Sequence, residues 1–222
     1  NTRMSGEYVK FSSKPNETYR IVSIDENGGN EITKIIANYY KPTLANNISN
    51  GATFGSSIND IDYIDGYLND SSNSSSFYSS LITSNGTNLL TSGPYYLGNS
   101  NASICYKEAI CLECNPNIKV EGCSKTEKQT FNVGISRYGE MFATSMATYD
   151  LKRIGSTYKN IWLITSYDKT KKYRFIDNSG YAVGITSPST PFPGNNTNNK
   201  LVRPTLHLKA NVVIVSGNGT PT

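Results

Sequence analysis

From Trp162 to Lys209 the chain alternates apolar strands with polar turns, and this stretch constrains the fold more than any other. Trp162, the only tryptophan, opens the apolar run Trp162-Leu163-Ile164. A charged turn from Asp168 to Lys172 leads into Tyr173-Arg174-Phe175-Ile176-Asp177. The turn Asn178-Ser179-Gly180 leads into Tyr181-Ala182-Val183-Gly184-Ile185, and an Asn-rich loop then leads to Leu201 to Leu208, centred on Arg203-Pro204. The order is strand, turn, strand, loop, strand, and it predicts one compact sheet. The stretch from Asn211 to Val215 predicts a last edge strand.

The rest of the chain repeats this vocabulary. Glu7 to Phe11, Tyr19 to Ile24 and Glu31 to Ile36 alternate polar and apolar residues, and Asn27-Gly28-Gly29 supplies hairpin chemistry between the last two. A three-stranded meander over residues 1–40 follows. Residues 41–76 are rich in Asn, Ser, Gly and Asp and read as loop. Ile58, Ile61, Ile64 and Leu68 recur there at helical spacing. A second short helix is predicted over residues 76–90, with Phe77, Leu81, Leu89 and Leu90 toward the core, and a strand over 91–101. Gln129 to Ser136 predicts a strand with Phe131, Val133 and Ile135 on one face. A helix over 136–149 follows, capped by Ser136, with Tyr138, Phe142, Met146 and Tyr149 inward.

Size and charge narrow the class. The 222 residues suffice for one generous domain, and 36% hydrophobic content predicts a lean core. Tyrosine outnumbers phenylalanine, 16 to 7, which suits half-buried strands and recognition surfaces. The net charge is +4, but only Lys169, Lys171 and Lys172 cluster, so the chain lacks the basic face of a nucleic-acid binder. No run of about 18 apolar residues occurs. No signal peptide is read at the start, and both ends read as cuts within a longer protein.

All four cysteines, Cys105, Cys111, Cys114 and Cys123, fall in one segment. Two readings stand. The preferred one is two disulfides, Cys105–Cys123 enclosing Cys111–Cys114, in an oxidising compartment. The alternative is one tetrahedral zinc on the four thiolates.

Catalytic constellations are poorly supplied. The only histidine, His207, alternates with Leu206 and Leu208 and is expected to face solvent or a polar seam. No Gly-x-Ser-x-Gly elbow or Walker loop is present. Asp60, Asp62 and Asp65, with Asp25, Glu26, Asp177 and Asn178, read as solvated loop groups rather than a calcium site. Glu140 is expected to pair with Arg137 or Arg203. Arg203-Pro204 reads as a structural clasp, with Pro204 marking an edge or bulge and Arg203 partly buried against a carboxylate. Asn-x-Ser/Thr triplets beginning at Asn16, Asn47, Asn69, Asn73, Asn85, Asn101, Asn195 and Asn218 follow from composition alone.

Several segments together resemble a known group. Gly6 to Phe11, Tyr19 to Ile24, Val133 to Glu140, Trp162 to Ser166, and Val202 to Lys209 closing on Ser216 to Thr220 resemble a domain of secreted and type IV pilin-like surface proteins of Gram-positive bacteria. That resemblance implies an N-terminal pilin-type helix upstream of Asn1. The closing pattern of Trp, polar strand, Gly and Arg-Pro is also similar to C-type-lectin-like domains. It implies an α+β fold: a mainly antiparallel, curved β-sheet with two or three short helices and long polar loops. The Glu-Pro-Asn or Gln-Pro-Asp motif is absent, so calcium-dependent sugar binding is not implied. By position Cys105 and Cys123 match the usual pair of such domains, and Cys111 and Cys114 are added.

The combined expectation is a single extracellular globular domain over 1–222. Its parts are a β-meander (1–40), a loop and helical region (41–92), a Cys-rich loop (101–128) and a C-terminal helix and sheet (129–216). Its expected role is non-enzymatic: a bacterial surface or pilus-associated module for adhesion or filament assembly. Its partners would be other pilin or surface-protein subunits, or a host or bacterial surface ligand, with no cofactor, nucleic acid or membrane span. A carbohydrate-binding module is the alternative, with Tyr39, Tyr40, Tyr95, Tyr96 and Phe192 as the ligand surface. A glycan hydrolase with paired carboxylates is a third reading. Trp162, Arg203 and Pro204 are expected to be structural.

Overall fold

The computed structural model describes residues 4–11, 17–39, 68–69, 72, 77–82, 88–96, 128–142, 150–168, 172–184, 201–213, 215 and 219–220. Among them the chain is mainly antiparallel β-sheet with two short helices. No helix among the described residues is long and apolar enough to cross a membrane.

The N-terminal meander consists of β1 (Tyr8–Lys10), β2 (Thr18–Asn27) and β3 (Asn30–Ala37), paired in that order. Asn27 pairs with Asn30, leaving a two-residue loop of Gly28 and Gly29 with φ of 61° and 82°. Both angles are positive, as a type I′ hairpin requires, and glycine meets that requirement at least cost. The register shifts between Ile21 and Ser23. Arg20 lies opposite Ile36 before the shift, whereas Ser23 and Asp25 lie opposite Lys34 and Ile32 after it. The one-residue bulge therefore turns odd-numbered residues of β2 onto the face that carried even-numbered ones. Asp25 joins the face of Lys34, and Ile24 is left 66% exposed.

The chain's late strand β13 (Pro204–Leu208) is central to this sheet. One edge pairs with β3. The other is shared by β4 (Leu90–Thr91), opposite His207 and Leu208, and β7 (Val133–Ile135), opposite Pro204 to Leu206. Pro204 thus opens a central strand rather than marking an edge. At the first position its missing N–H costs the ladder least. The predicted single C-terminal sheet is corrected accordingly. A separate three-stranded sheet holds β10 (Ile161–Asp168), β11 (Lys172–Ile176) and β12 (Ala182–Gly184). One parallel bridge, Ile161 to Leu201, links β10 to the residues leading into β13. The predicted edge strand over 211–215 is also corrected. The described residues there are turn or coil, and Val213 and Val215 are 77% and 93% exposed.

Two small hairpins complete the fold: β5 (Gly93–Tyr96) with β6 (Lys128–Phe131), and β8 (Arg153–Ile154) with β9 (Thr157–Tyr158). The strand predicted over 129–136 is divided between β6 and β7. Helix α1 covers Phe77–Ile82, shorter than predicted, with Leu89 partly exposed beyond it. Helix α2 covers only Tyr138–Met141. Its N-cap is Arg137 rather than Ser136, through a reciprocal bond of the Arg137 N–H to Glu140. Phe142 stands 40% exposed, its ring under Lys152 Nζ at 4.6 Å, not inward. Met146, Tyr149 and the helix expected before Leu68 lie outside the described residues.

Two apolar clusters pack around these strands. Tyr19, Ile21, Ile35, Val133, Ile135, Phe77, Trp162 and Leu206 belong to the first. Val22, Ile36, Met141, Leu151, Ile161, Leu163 and Ile176 form the second. Neighbours in sequence divide between them, so β3 and β10 each bury both of their faces.

Candidate functional site: a buried polar seam

The pairings Ser23 to Lys34, Lys34 to His207, Thr205 to Ile36 and Gly134 to Thr205 place one row of polar groups on a single face of the large sheet. Its members are Asp25, Lys34, Thr205 and His207, covered by Tyr95 from β5 and Glu140 from α2. Lys34, Glu140, Thr205 and His207 are 1%, 3%, 0% and 0% exposed.

Each group has an assigned partner. Lys34 Nζ donates to Glu140 Oε1 at 2.7 Å and sits 4.4 Å from the centre of the Tyr95 ring. Glu140 also accepts from Arg137 Nε at 3.0 Å and from the Arg137 backbone N–H at 2.9 Å. His207 Nε2 lies 2.9 Å from Asp25 Oδ2, and Ser23 Oγ donates to Asp25 Oδ1 at 3.1 Å. The Tyr95 hydroxyl donates to the Thr205 carbonyl at 2.8 Å, and its ring stands edge-on to His207 at 5.1 Å. Two glycines make this packing possible. A Cβ on Gly134 would stand 2.2 Å from the Tyr95 ring, and one on Gly93 would stand 2.3 Å from His207 Nδ1.

The electrostatics follow from burial and pairing. Burial raises the Asp25 carboxyl, but the His207 hydrogen bond and the Lys34 charge outweigh it and hold it below its ordinary value. The same contest ends the same way at Glu140, where Lys34 and Arg137 prevail. Burial lowers the His207 imidazole; the Asp25 bond opposes this, the Lys34 charge adds to it, and the net shift is downward. His207 is therefore neutral near pH 7 and donates from Nε2. The seam carries two cations, Lys34 and Arg137, against two carboxylates, Asp25 and Glu140. Its charges balance, and its donors are directed at acceptors within the fold.

A second polar cluster ties the sheet to the segment after α2. Arg20 Nε donates to the Gly6 carbonyl at 3.0 Å, and its Nη1 donates to the Asp150 carbonyl at 2.6 Å. Arg203 Nε donates to the Ala37 carbonyl and its Nη1 to the Leu151 carbonyl. Two buried guanidinium groups thus grip consecutive carbonyls of one loop. The Asp150 carboxylate is engaged elsewhere, by Lys152 Nζ at 2.9 Å and the Tyr158 hydroxyl at 2.9 Å. Burial first, and the neighbouring Arg20 charge second, lower Arg203 to about 9.

These positions decide several expectations. His207 takes the second of its two expected settings, a polar seam, and its strand is covered on both faces. Arg203 grips carbonyl oxygens instead of a carboxylate. Glu140 pairs with Arg137, one of its two expected partners, and with Lys34, which the sequence reading had not singled out. The signal for Lys34 was its position within Ile32-Thr33-Lys34-Ile35-Ile36, where parity places it with the buried Ile32 and Ile36. Tyr95, expected on a ligand surface, is fully buried because β5 lies over the seam. Tyr39 is half-buried, its hydroxyl 2.8 Å from that of Tyr19 and donating to Glu17 Oε2 at 2.9 Å. Trp162 is 3% exposed and edge-on to Phe175 at 6.0 Å. Tyr96 ends β5. Tyr40, Phe192, Asp60, Asp62, Asp65, Cys105, Cys111, Cys114 and Cys123 lie outside the described residues. Asp177 caps its own turn, Oδ1 accepting from the Ser179 and Tyr181 N–H groups. That turn leaves the Tyr181 ring 70% exposed, an aromatic the sequence reading passed over.

Comparison with protein-family models, with curated proteins and with solved structures finds no match for this chain.

Proposed function

We propose that this chain is an extracellular, non-enzymatic module of a bacterial surface or pilus-associated protein, a rigid β-scaffold that presents polar excursions for adhesion or filament assembly. The observation that carries this reading is the pairing of β5 with β6. Tyr96 lies opposite Lys128, so the segment 97–127 leaves and returns at one point of the scaffold. That segment carries all four cysteines. Lys34, Glu140, Asp25 and the Tyr95 hydroxyl are engaged within the fold, joining strands and helix, and recognition is assigned to the segments the scaffold carries. The resemblance to pilin-like surface proteins and to C-type-lectin-like domains supports the same reading. Within the excursion we propose two disulfides, Cys105–Cys123 enclosing Cys111–Cys114. Intact mass and thiol labelling without reductant test them; four free thiols with one stoichiometric zinc would overturn the pairing.

The module itself is tested by expressing the full-length precursor in a Gram-positive host and shearing the cells. Recovery in the surface filament fraction is expected. Recovery only from the cytosol would end the proposal.

A second reading, a carbohydrate-binding module, draws on Tyr181. An exposed ring on a turn stiffened by Asp177 suits stacking on a sugar face. A glycan array followed by calorimetry distinguishes the two, with Tyr181→Ala abolishing any genuine hit.

A further inference from the structure

We propose that Asn27 is a self-modifying site, in which the backbone nitrogen of Gly28 attacks the Asn27 side-chain amide and releases the hairpin tip from its anchor. The geometry is that of the β2–β3 turn. Asn27 and Asn30 form the last pair of the ladder, so the Gly28 nitrogen lies in the two-residue loop, outside that ladder. Gly28 is exposed, and no atom stands within 4 Å of where its Cβ would be. Gly28 carries no side chain of its own to shield its nitrogen from Asn27 Cγ, and its φ of 61° places it in the turn rather than in the strand.

The chemistry balances with water as the only co-reactant. The Gly28 nitrogen bonds to Asn27 Cγ, its proton is relayed through water to the departing Nδ2, and the Cγ–Nδ2 bond breaks with loss of ammonia. Water then opens the cyclic imide. Cleavage of the new bond to Cγ gives aspartate. Cleavage of the original bond to the backbone carbonyl carbon gives isoaspartate, with the main chain rerouted through the side chain. Asparagine is among the thermolabile residues for this reason.

The consequence is local and directional. Asn27 Nδ2 donates to the Ser92 carbonyl at 2.9 Å, tying the turn end of the hairpin to the residue between β4 and β5. A carboxylate has no donor to offer there, so oxygen would face oxygen. It would also join Glu26 and Glu31, which already oppose each other across the ladder. These two line an open concavity of about 420 Å³ with Ile24, Asp25 and Gly29. Isoaspartate lengthens the main chain at the turn and breaks the Asn27 to Asn30 register. Farther down the ribbon the Asp25–His207 pair still holds β2 to β13, so the tip is freed and the root is not.

The test uses the whole folded chain, aged in mildly alkaline buffer below its unfolding temperature. Peptide mapping with isoaspartyl methyltransferase labelling locates the products. Three other Asn-Gly pairs, Asn50-Gly51, Asn85-Gly86 and Asn218-Gly219, serve as internal comparators. Aspartate and isoaspartate at Asn27 are expected, with faster hydrogen exchange confined to the amides from Glu26 to Glu31 in the aged fraction. Asn27→Asp should reproduce the faster exchange without ageing. Asn27→Gln, whose cyclisation needs a larger ring, should not acquire it with age. Conversion of the comparators while Asn27 stays intact would overturn the proposal. So would unchanged tip exchange in both the aged chain and Asn27→Asp.

Discussion

His207 and its neighbours set how stability depends on pH. The imidazole is neutral in the fold because burial and the Lys34 charge outweigh the Asp25 bond, so its folded pKa lies below the unfolded value of about 6.5. The unfolded chain then binds the proton more readily. Stability is full above about pH 6.5 and declines as pH falls from there to the folded pKa, by about 1.4 kcal/mol for each unit of lowering. Asp25 and Glu140 are held below their ordinary values, so their contribution persists above the unfolded carboxyl pKa of about 4 and is lost below it. Acid destabilisation should therefore come in two stages, the first belonging to His207. Urea unfolding across a pH series checks this: His207→Gln should flatten the upper stage and leave the lower one. An unchanged upper stage in that variant would refute the assignment. The Lys34–Glu140 pair behaves differently, since removing one partner strands the other. Lys34→Met leaves Glu140 buried with Arg137 alone and is expected to cost about 3–5 kcal/mol by urea unfolding, most of it the stranded charge.

Local elements were the most legible part of the chain. The β2–β3 hairpin follows from the polar–apolar–polar alternation of Ser23 to Asp25 and Glu31 to Thr33 on either side of Asn-Gly-Gly, and no distant contact is needed to specify it. The bulge after Ile21 was not legible. Val22 and Ser23 carry no glycine or proline to mark it, and its consequence, Asp25 turned inward to His207, depends on a strand far away in the sequence. Helix α2 shows the opposite failure. Its apolar spacing promised a long helix over 136–149, yet the described helix is one turn, held by Glu140 to Arg137 and Lys34 rather than by a Ser136 cap. Gly134 gives a test at this scale. In β7 its Cβ would meet the Tyr95 ring at 2.2 Å, and Tyr95 cannot retreat without uncovering Lys34 and His207. Gly155, in the β8–β9 turn, has φ of 60° and open space around it. Gly155→Ala should cost about 1–2 kcal/mol for the left-handed backbone. Gly134→Ala should cost at least the 1–3 kcal/mol typical of overpacking and should also shift the tyrosine near-ultraviolet signal, which Gly155→Ala leaves alone. Equal costs with no spectral change would show that β5 yields freely.

At the scale of the whole molecule, what the sequence could not disclose was long-range pairing. Leu201 to Leu208 reads as the close of the C-terminal sheet because it follows that sheet in the chain. Its strand instead enters the N-terminal sheet between β3 and the short pair β4 and β7, and proximity in sequence carries no information about such an insertion. Arg203, immediately before that strand, then acquires its role. One Arg203 nitrogen holds Ala37 at the end of β3 and another holds Leu151, while Arg20 from β2 holds Asp150 beside it. The two arginines fasten the large sheet to the segment whose Leu151 packs with Ile161, Leu163 and Ile176 of the second sheet. Planarity matters here. Two carbonyls lying in different directions need the fixed fork of a guanidinium, and a lysine ammonium on its flexible stem reaches one of them at a time. Each hydrogen bond from a charged donor contributes about 1.5–3 kcal/mol, offset in part by the cost of burying a cation already lowered toward 9. Arg203→Lys and Arg203→Met are both expected to lose about 2–4 kcal/mol by urea unfolding. If the clamp joins the sheets, hydrogen exchange should accelerate at Leu151 and along β8 and β9 while the β2–β3 ladder keeps its protection. Full retention of stability in Arg203→Lys would mean that a single charged donor suffices and that the second carbonyl contributes nothing to joining the two sheets.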